Sequence, residues 1–254
     1  MSVIFDLTGK VAIITGGAGG IGETLAIGLA QNGADVVVTS RTLSKLEPVA
    51  EKIKKIGKKA MAIACDVTDE KAVQQMVDRV VKKFSHIDIL VNVAGIIVRD
   101  DAEKFKIEDW QKVITFNVTG TFICCQAVGR EMIKQGGGKI INTSSVRGKL
   151  GAAVGASAYG PSKGAVDSLT KTLATEWAKY KIYVNAVAPT LVETDLTRAA
   201  LSNPEFYKAN MARIPLKRWA NPEDIVGPVV FLASKASDFI TGQIIYVDGG
   251  TTSN

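Results

Sequence analysis

One histidine in 254 residues, His86, removes several chemistries at the outset. A zinc site built on several histidines is impossible. A serine hydrolase would have to use His86, and the chain has no G-x-S-x-G elbow. His86 stands in KKFSHIDIL and reads as a surface turn residue. Cysteine is nearly as scarce: Cys65, Cys124 and Cys125 are an odd number, without C-x-x-C spacing. Cys124 and Cys125 fall in the apolar stretch FICCQAV, which reads as core. Reduced thiols in a cytoplasmic protein are therefore expected, with no disulfide framework and no metal. No apolar run approaches the ~18 residues of a membrane span. The N-terminus MSVIFDLTGK lacks a basic flank followed by a long apolar stretch, so no signal peptide is expected. Aromatic residues make up only 6% of the chain and are not interleaved among the lysines of segments such as AEKIKKIGKKA. The net charge of +6 thus reads as solvated helix surface rather than a nucleic-acid footprint.

What is present is ordinary in amount, 46% hydrophobic and 22% charged, and regular in arrangement. Short apolar runs (KVAIIT, DVVVTS, AMAIAC, IDILVNVAG, KIINTSS, YVNAVAP and QIIYVDGG) alternate with segments of helical period. Continuously apolar strands separated by helices predict a parallel sheet covered on both faces, a doubly wound Rossmann-type α/β fold. No linker, repeat or low-complexity segment interrupts the pattern, so residues 1–254 are expected to form a single domain.

Three short segments carry chemistry. The run TGGAGGIG follows the first strand and opens the first helix; Gly16, Gly20 and Gly22 would permit a tight turn, close backbone approach and a helix N-terminus free for a pyrophosphate. The second strand ends in Thr39-Ser40-Arg41 with no acid to bind a ribose 2′-hydroxyl, whereas Arg41 and Ser40 could bind a 2′-phosphate. NADP is expected ahead of NAD, with NAD still usable. Finally, SAYGPSKGA sets Tyr159 and Lys163 four residues apart, with Pro161 in a position a first helical turn tolerates. On a helix the two share a face, and an ammonium at about 4 Å could pull a phenol of pKa about 10 toward neutrality.

Together these features resemble the short-chain dehydrogenase/reductase family over nearly the whole chain. Thr15-Gly16-x-x-x-Gly20-Ile21-Gly22 matches its cofactor loop, and Asp66-Val67, after the third strand, the positions at the adenine. Asn92-Val93-Ala94-Gly95 matches Asn-Asn-Ala-Gly, with valine as a departure. Asn117, Ser145, Tyr159 and Lys163 match the catalytic tetrad in order. The gap from Ser145 to Tyr159 is one residue longer than usual, so a bulged loop is expected. Pro189-Thr190 replaces the usual Pro-Gly, and Thr194 matches the position that reaches the nicotinamide carboxamide. The resemblance implies that Tyr159 exchanges a proton with the substrate oxygen and that Ser145 hydrogen-bonds that oxygen. It also implies that Lys163 lowers the phenol pKa and holds the nicotinamide ribose, and that Asn117 holds a water.

Residues 190–219 are long for a connection and read as a substrate lid. The text NPEFYKANMARIPLKRWANPEDIVG is similar to gluconate 5-dehydrogenases and related sugar-acid or polyol dehydrogenases. Arg99 and Arg147, each following a site segment, are candidate contacts for an anionic substrate. A 3-oxoacyl-carrier-protein reductase or general carbonyl reductase would share the same tetrad, and a redox sensor without turnover would share the nucleotide loop. Apolar residues on more than one face of FICCQAVGREMI and GAVDSLTKTLATEWA suggest burial against another subunit, and the resemblance implies a homotetramer.

Overall fold

Seven parallel strands form one sheet in the order β3-β2-β1-β4-β5-β6-β7: β1 Val11–Thr15, β2 Asp35–Ser40, β3 Ala60–Ala64, β4 Ile89–Asn92, β5 Gly138–Thr143, β6 Ile182–Pro189 and β7 Ile244–Val247. The structure is a computed structural model, and it describes residues 4–151, 155–194, 197–198 and 202–253. Each of the seven apolar runs is a strand. The helices are α1 Gly20–Gln31, α2 Leu43–Lys55, α3 Glu70–Phe84, α4 Ile107–Ile114, α5 Gly120–Gln135, α6 Tyr159–Trp177, α7 Pro204–Met211 and α8 Glu223–Ala233.

Side chains alternate across a strand, so each strand feeds two cores. Ala12 and Ile14 of β1 join Val36, Val38 and Val91 under α1, α2 and α8. Val11 and Ile13 join Val37, Leu90, Ile140 and Val184 under α3, α5 and α6. Both faces are covered, which is why the strands read as unbroken apolar runs rather than as alternating ones.

Three local features depart from the sequence pattern. Residues 107–135 run as α4, a π-helical turn over Thr115–Thr119, and α5. Within the segment read as a lid lies α7, capped by the Asn203 side chain accepting from the Phe206 amide at 3.1 Å. The Phe206 and Tyr207 rings close on Trp219, at 6.3 and 5.5 Å between centroids, so this segment has a small aromatic core of its own. Residues 195–196 and 199–201 of the segment lie outside the described residues, as do residues 152–154 of the loop expected to bulge.

The strand order reverses between β1 and β4, and the carboxyl ends of Thr15, Asn92 and Asn142 align there in register. In an open parallel sheet the crevice beyond these ends is where ligands bind.

Candidate active site

The glycine loop is fitted to its surroundings at two points. Gly16 has φ +72°, and a Cβ there would stand 2.8 Å from the Ala94 amide nitrogen; a Cβ on Gly22 would overlap the Gly16 carbonyl. Thr15, at the end of β1, accepts at Oγ1 from the amides of Val93 and Ala94, at 3.2 and 3.3 Å, locking the Asn92–Gly95 turn against the loop. α1 then starts at Gly20 with Gly19 as N-cap and no side-chain cap, so the first-turn amides of Gly20, Ile21 and Gly22 face the crevice end with no side chain among the described residues capping them. Two backbones held this close, below an uncapped helix N-terminus, form the cradle a pyrophosphate requires.

At the end of β2, Ser40 is half-buried and Arg41 is exposed, its guanidinium 5.4 Å above the Phe116 ring. Phe116 was not singled out by any motif; it reaches the site because the π-turn carries it there. Asp66 accepts from the Thr68 amide at 2.9 Å and from Thr68 Oγ1 at 2.7 Å. These bonds, with a smaller contribution from Arg41, hold its carboxyl below the usual range. Arg41 therefore has a carboxylate within electrostatic reach, one strand over from where an acid is missing. Val67 is buried against Gly120 of α5.

Asn92 does not face the crevice with its side chain. It shares a strand face with Leu90, so it points toward α5: its Nδ2 donates to Asn142 Oδ1 at 2.9 Å and to Cys125 Sγ at 3.3 Å, in a region without solvent. What Asn92 can offer a nucleotide is its main chain. Asn117 is similarly engaged. Its Oδ1 accepts from the Ile96 amide at 2.8 Å, and its Nδ2 donates to the Ile96 carbonyl at 2.9 Å and Ser162 Oγ at 3.0 Å. Its main-chain carbonyl accepts from Thr121 Oγ1 at 2.7 Å inside the π-turn.

Ser145, Tyr159 and Lys163 come together at the ends of β5 and α6. Ser145 caps a short 3-10 turn over Val146–Gly148, accepting from the Arg147 amide at 3.2 Å, and its hydroxyl donates to the Pro189 carbonyl at 3.4 Å. Tyr159 opens α6, within hydrogen-bonding reach of Ser145. The Lys163 Nζ donates to the Thr143 carbonyl at 2.7 Å and lies 5.7 Å from the Tyr159 ring centroid. It also stands 3.6 Å from where a Gly95 Cβ would be. Burial drives the Lys163 ammonium down to about 8. Burial pushes the Tyr159 phenol up, and what opposes it is the Ser145 hydroxyl and then the charges of Arg99 and Arg147. The helix spacing predicts Lys163 at about 4 Å from the phenol; the structure has its Nζ bonded to the Thr143 carbonyl and 5.7 Å from the ring centroid, with Arg99 and Arg147 adding their charge at the same phenol.

Arg147 donates to the Gly151 carbonyl at 2.6 Å, and burial, Arg213 and Arg99 all act to weaken its hold on its proton. Arg213, two residues past α7, had no motif to mark it. Among the described residues none of Arg99, Arg147 and Arg213 pairs with a carboxylate. A cleft of about 740 Å³, in the range of small-molecule sites, opens beside Arg147, Gly151, Gly155, Ser157 and Gly160.

Thr190 departs from the expected Pro-Gly without strain: only Ser85, Lys181 and Lys217 among described non-glycine residues have positive φ, and the Thr190 amide bonds the Val247 carbonyl at 3.4 Å. Pro189 closes β6. Thr194 donates its amide to Thr197 Oγ1 at 2.9 Å and sets its methyl 3.2 Å from the Cβ position of Gly20, above the cradle.

The family model described as enoyl-(acyl carrier protein) reductase matches residues 16–252. The chain is 41% identical to the 2-dehydro-3-deoxy-D-gluconate 5-dehydrogenase of Dickeya dadantii over 247 residues, 97% of this chain and 96% of that protein. It is also 41% identical to the gluconate 5-dehydrogenase of Gluconobacter oxydans over 249 residues, 98% of this chain and 97% of that protein. The crystal structure of a gluconate 5-dehydrogenase from Burkholderia cenocepacia in complex with NADP and tartrate superposes with a TM-score of 0.95 at 41% identity, covering 99% of this chain and 98% of that one.

Proposed function

This chain belongs to the short-chain dehydrogenase/reductase family, and from that premise we propose that it transfers a hydride between NADP and a secondary alcohol or ketone of a sugar acid. The observation that carries the reading is the meeting of Tyr159, Ser145 and Lys163 with Arg99 and Arg147, neither of them paired with a carboxylate among the described residues, around one phenol. An alcohol–ketone interconversion needs a proton exchanged at one oxygen, and an acid substrate needs cations at the same mouth. The relatives from Dickeya and Gluconobacter act on sugar acids by name, and the Burkholderia enzyme holds tartrate, a hydroxy-dicarboxylate, together with NADP.

Bound NADP supplies the hydride acceptor. Tyr159 Oη takes the hydroxyl proton in oxidation and returns it in reduction. Ser145 Oγ hydrogen-bonds the same oxygen as charge develops on it. Lys163, held by Thr143, keeps a cation behind the phenol and faces the ribose side of the cradle, beside Gly95. Arg99, Arg147 and Arg213 take the carboxylate, and the segment 190–219 acts as a lid over it within one domain. Screening sugar acids, polyols and keto-esters with both nicotinamide cofactors, read by cofactor fluorescence, tests the reading; turnover confined to keto-esters would favour a carbonyl or 3-oxoacyl-carrier-protein reductase instead.

Cofactor choice rests on Ser40 and Arg41, which bring a hydroxyl and a cation to the 2′-position. A charge-assisted bond of roughly 1.5–3 kcal/mol corresponds to about ten- to a hundredfold in affinity. Asp66 and the Phe116 ring already engage Arg41, so the preference falls at the lower end. Ser40→Asp is expected to reverse it, measured as kcat/KM for NADP and NAD at fixed ionic strength. A parent that prefers NAD outright would overturn the assignment of this turn.

The assembly proposed is a cytoplasmic homotetramer. Supporting it, Ile107, Trp110 and Phe122 of α4 and α5 are 64%, 39% and 39% exposed, large apolar side chains left on the outside of a single chain. Among the described residues no helix is long and apolar enough to cross a membrane. Sedimentation at micromolar concentration is expected to give a tetramer, and a stable monomer would refute it.

A further inference from the structure

One interior carboxylate has no part in the steps above. Asp167 follows Lys163 by one helical turn on α6, as Lys163 follows Tyr159, so the three stand at i, i+4 and i+8 on one face. Asp167 is only 9% exposed, and its Oδ1 accepts no hydrogen bond from the described residues. Burying a carboxylate without full pairing costs stability, so a purely structural position would favour an apolar residue.

The surroundings tie it to the reacting groups. The 3-10 turn that carries Ser145 is pressed onto α6 at this point: a Cβ at Gly148 would stand 2.6 Å from Asp167 Oδ2 and 3.1 Å from the Lys163 carbonyl carbon. Ser144 reaches the Asp167 carboxylate, and its hydroxyl also approaches the Lys163 carbonyl at 3.4 Å. Lys163 is 4% exposed, and among the described residues its Nζ donates to one acceptor, the neutral carbonyl of Thr143. A buried ammonium in that position needs a counter-charge, and Asp167, buried one turn further along the same face of α6, supplies it at longer range than an ion-pair contact.

We propose that Asp167 is a positioning residue for the reaction, a buried counter-charge on the Tyr159–Lys163 face of α6 that supports the Lys163 cation and seats the Ser144–Ser145 turn. The inference rests on the reading of Tyr159 and Lys163 given above.

The groups facing Asp167 are few. Its own helix presents Lys163 and the exposed Lys171; the end of β5 presents Ser144; the 3-10 turn presents Gly148 main chain. From β7 comes Tyr246, whose phenol is raised by burial and then by Asp167 and Asp248, and whose ring has Lys149 Nζ 5.3 Å above it. Burial raises the Asp167 carboxyl, and Ser144, Lys171 and Lys163 draw it back. Burial lowers Lys163, and Asp167 opposes that. Removing the negative charge therefore lets Lys163 lose its proton at lower pH, and the phenolate of Tyr159 loses its cation there.

The experiment compares parent, Asp167→Asn, Asp167→Ser and Asp167→Glu in kcat against pH for oxidation. In parallel, NADPH affinity is followed against pH by fluorescence, since Lys163 faces the ribose side. In the two neutral variants the alkaline limb of both profiles is expected to move toward acid by about one pH unit, so that kcat at high pH falls about tenfold more than at neutral pH. Asp167→Glu, which keeps the charge, is expected to keep the parent limb even where crowding against Gly148 lowers its height. The serine variant covers the case in which asparagine does not fold. Limbs that superimpose in parent and neutral variants would overturn the proposal. A parent that oxidises no sugar acid defeats the functional reading instead, while the NADPH limb still decides the role of Asp167.

Discussion

Tyr159→Phe is expected to lower kcat by about 10²–10⁴-fold, the usual contribution of a positioned proton donor or acceptor. Only one oxygen is removed. The ring stays at the start of α6, and the Lys163 Nζ stays on Thr143. The cradle of Gly16, Gly20 and Gly22 is made by other elements, so NADP affinity is expected to stay within a few-fold of the parent. KM for the sugar acid should also change little, because Arg99 and Arg147 are untouched. Steady-state kinetics and a fluorescence titration separate these quantities. Turnover within a few-fold of the parent would remove Tyr159 from the proton-transfer role.

Lys163→Met is expected to abolish most turnover and yet stabilise the protein lacking cofactor. Burial brings the Lys163 ammonium from its ordinary 10.5 to about 8. A cation whose folded pKa is depressed opposes folding below the folded value, and the cost fades as pH rises from about 8 to 10.5. That gap corresponds to about 3 kcal/mol at neutral pH, undiscounted because the residue is only 4% exposed. Methionine fills a similar volume without the charge, but leaves the Thr143 carbonyl without its donor, which takes back about 1–2 kcal/mol. The balance is a rise in Tm of roughly 2–8 °C at neutral pH, at ~2–4 °C per kcal/mol for a chain of this size. The rise should shrink toward pH 10, where both proteins carry a neutral side chain. An unchanged or lower Tm at neutral pH would mean that Lys163 is stabilised where it stands, and that the strained cation behind the phenol is not there.

Much of this site was legible because its signals are local. Seven apolar runs became seven strands in register, and the glycine loop and the Tyr159–Lys163 spacing are each read within a few residues. What escaped depends on contacts between distant segments. The orientation of Asn92 toward Asn142 and Cys125 follows from strand parity, which fixes a face but does not name the partner. Phe116 under Arg41 depends on a π-turn, which no residue type encodes, and Arg213 beside Arg147 depends on how the segment after α7 returns to the site. The helix α7 itself was hidden in a segment read as loop, its stability coming from Phe206, Tyr207 and Trp219 closing together. Asp167 was within reach, since the i+4 spacing that relates Tyr159 to Lys163 leads on to it, but an acid on a helix reads as solvent-facing until its burial is known.

The central claim is that an anionic sugar acid is oxidised at a site where arginines meet the phenol, and it is tested most directly by a matched pair of substrates. Gluconate and glucitol differ in one end group, carboxylate against hydroxymethyl, with the same carbon chain. With NADP at low ionic strength, kcat/KM for gluconate is expected to exceed that for glucitol by at least about tenfold, the worth of one charge-assisted contact, and the gap should narrow as salt screens Arg99, Arg147 and Arg213. Equal or faster turnover of the neutral polyol would contradict the account.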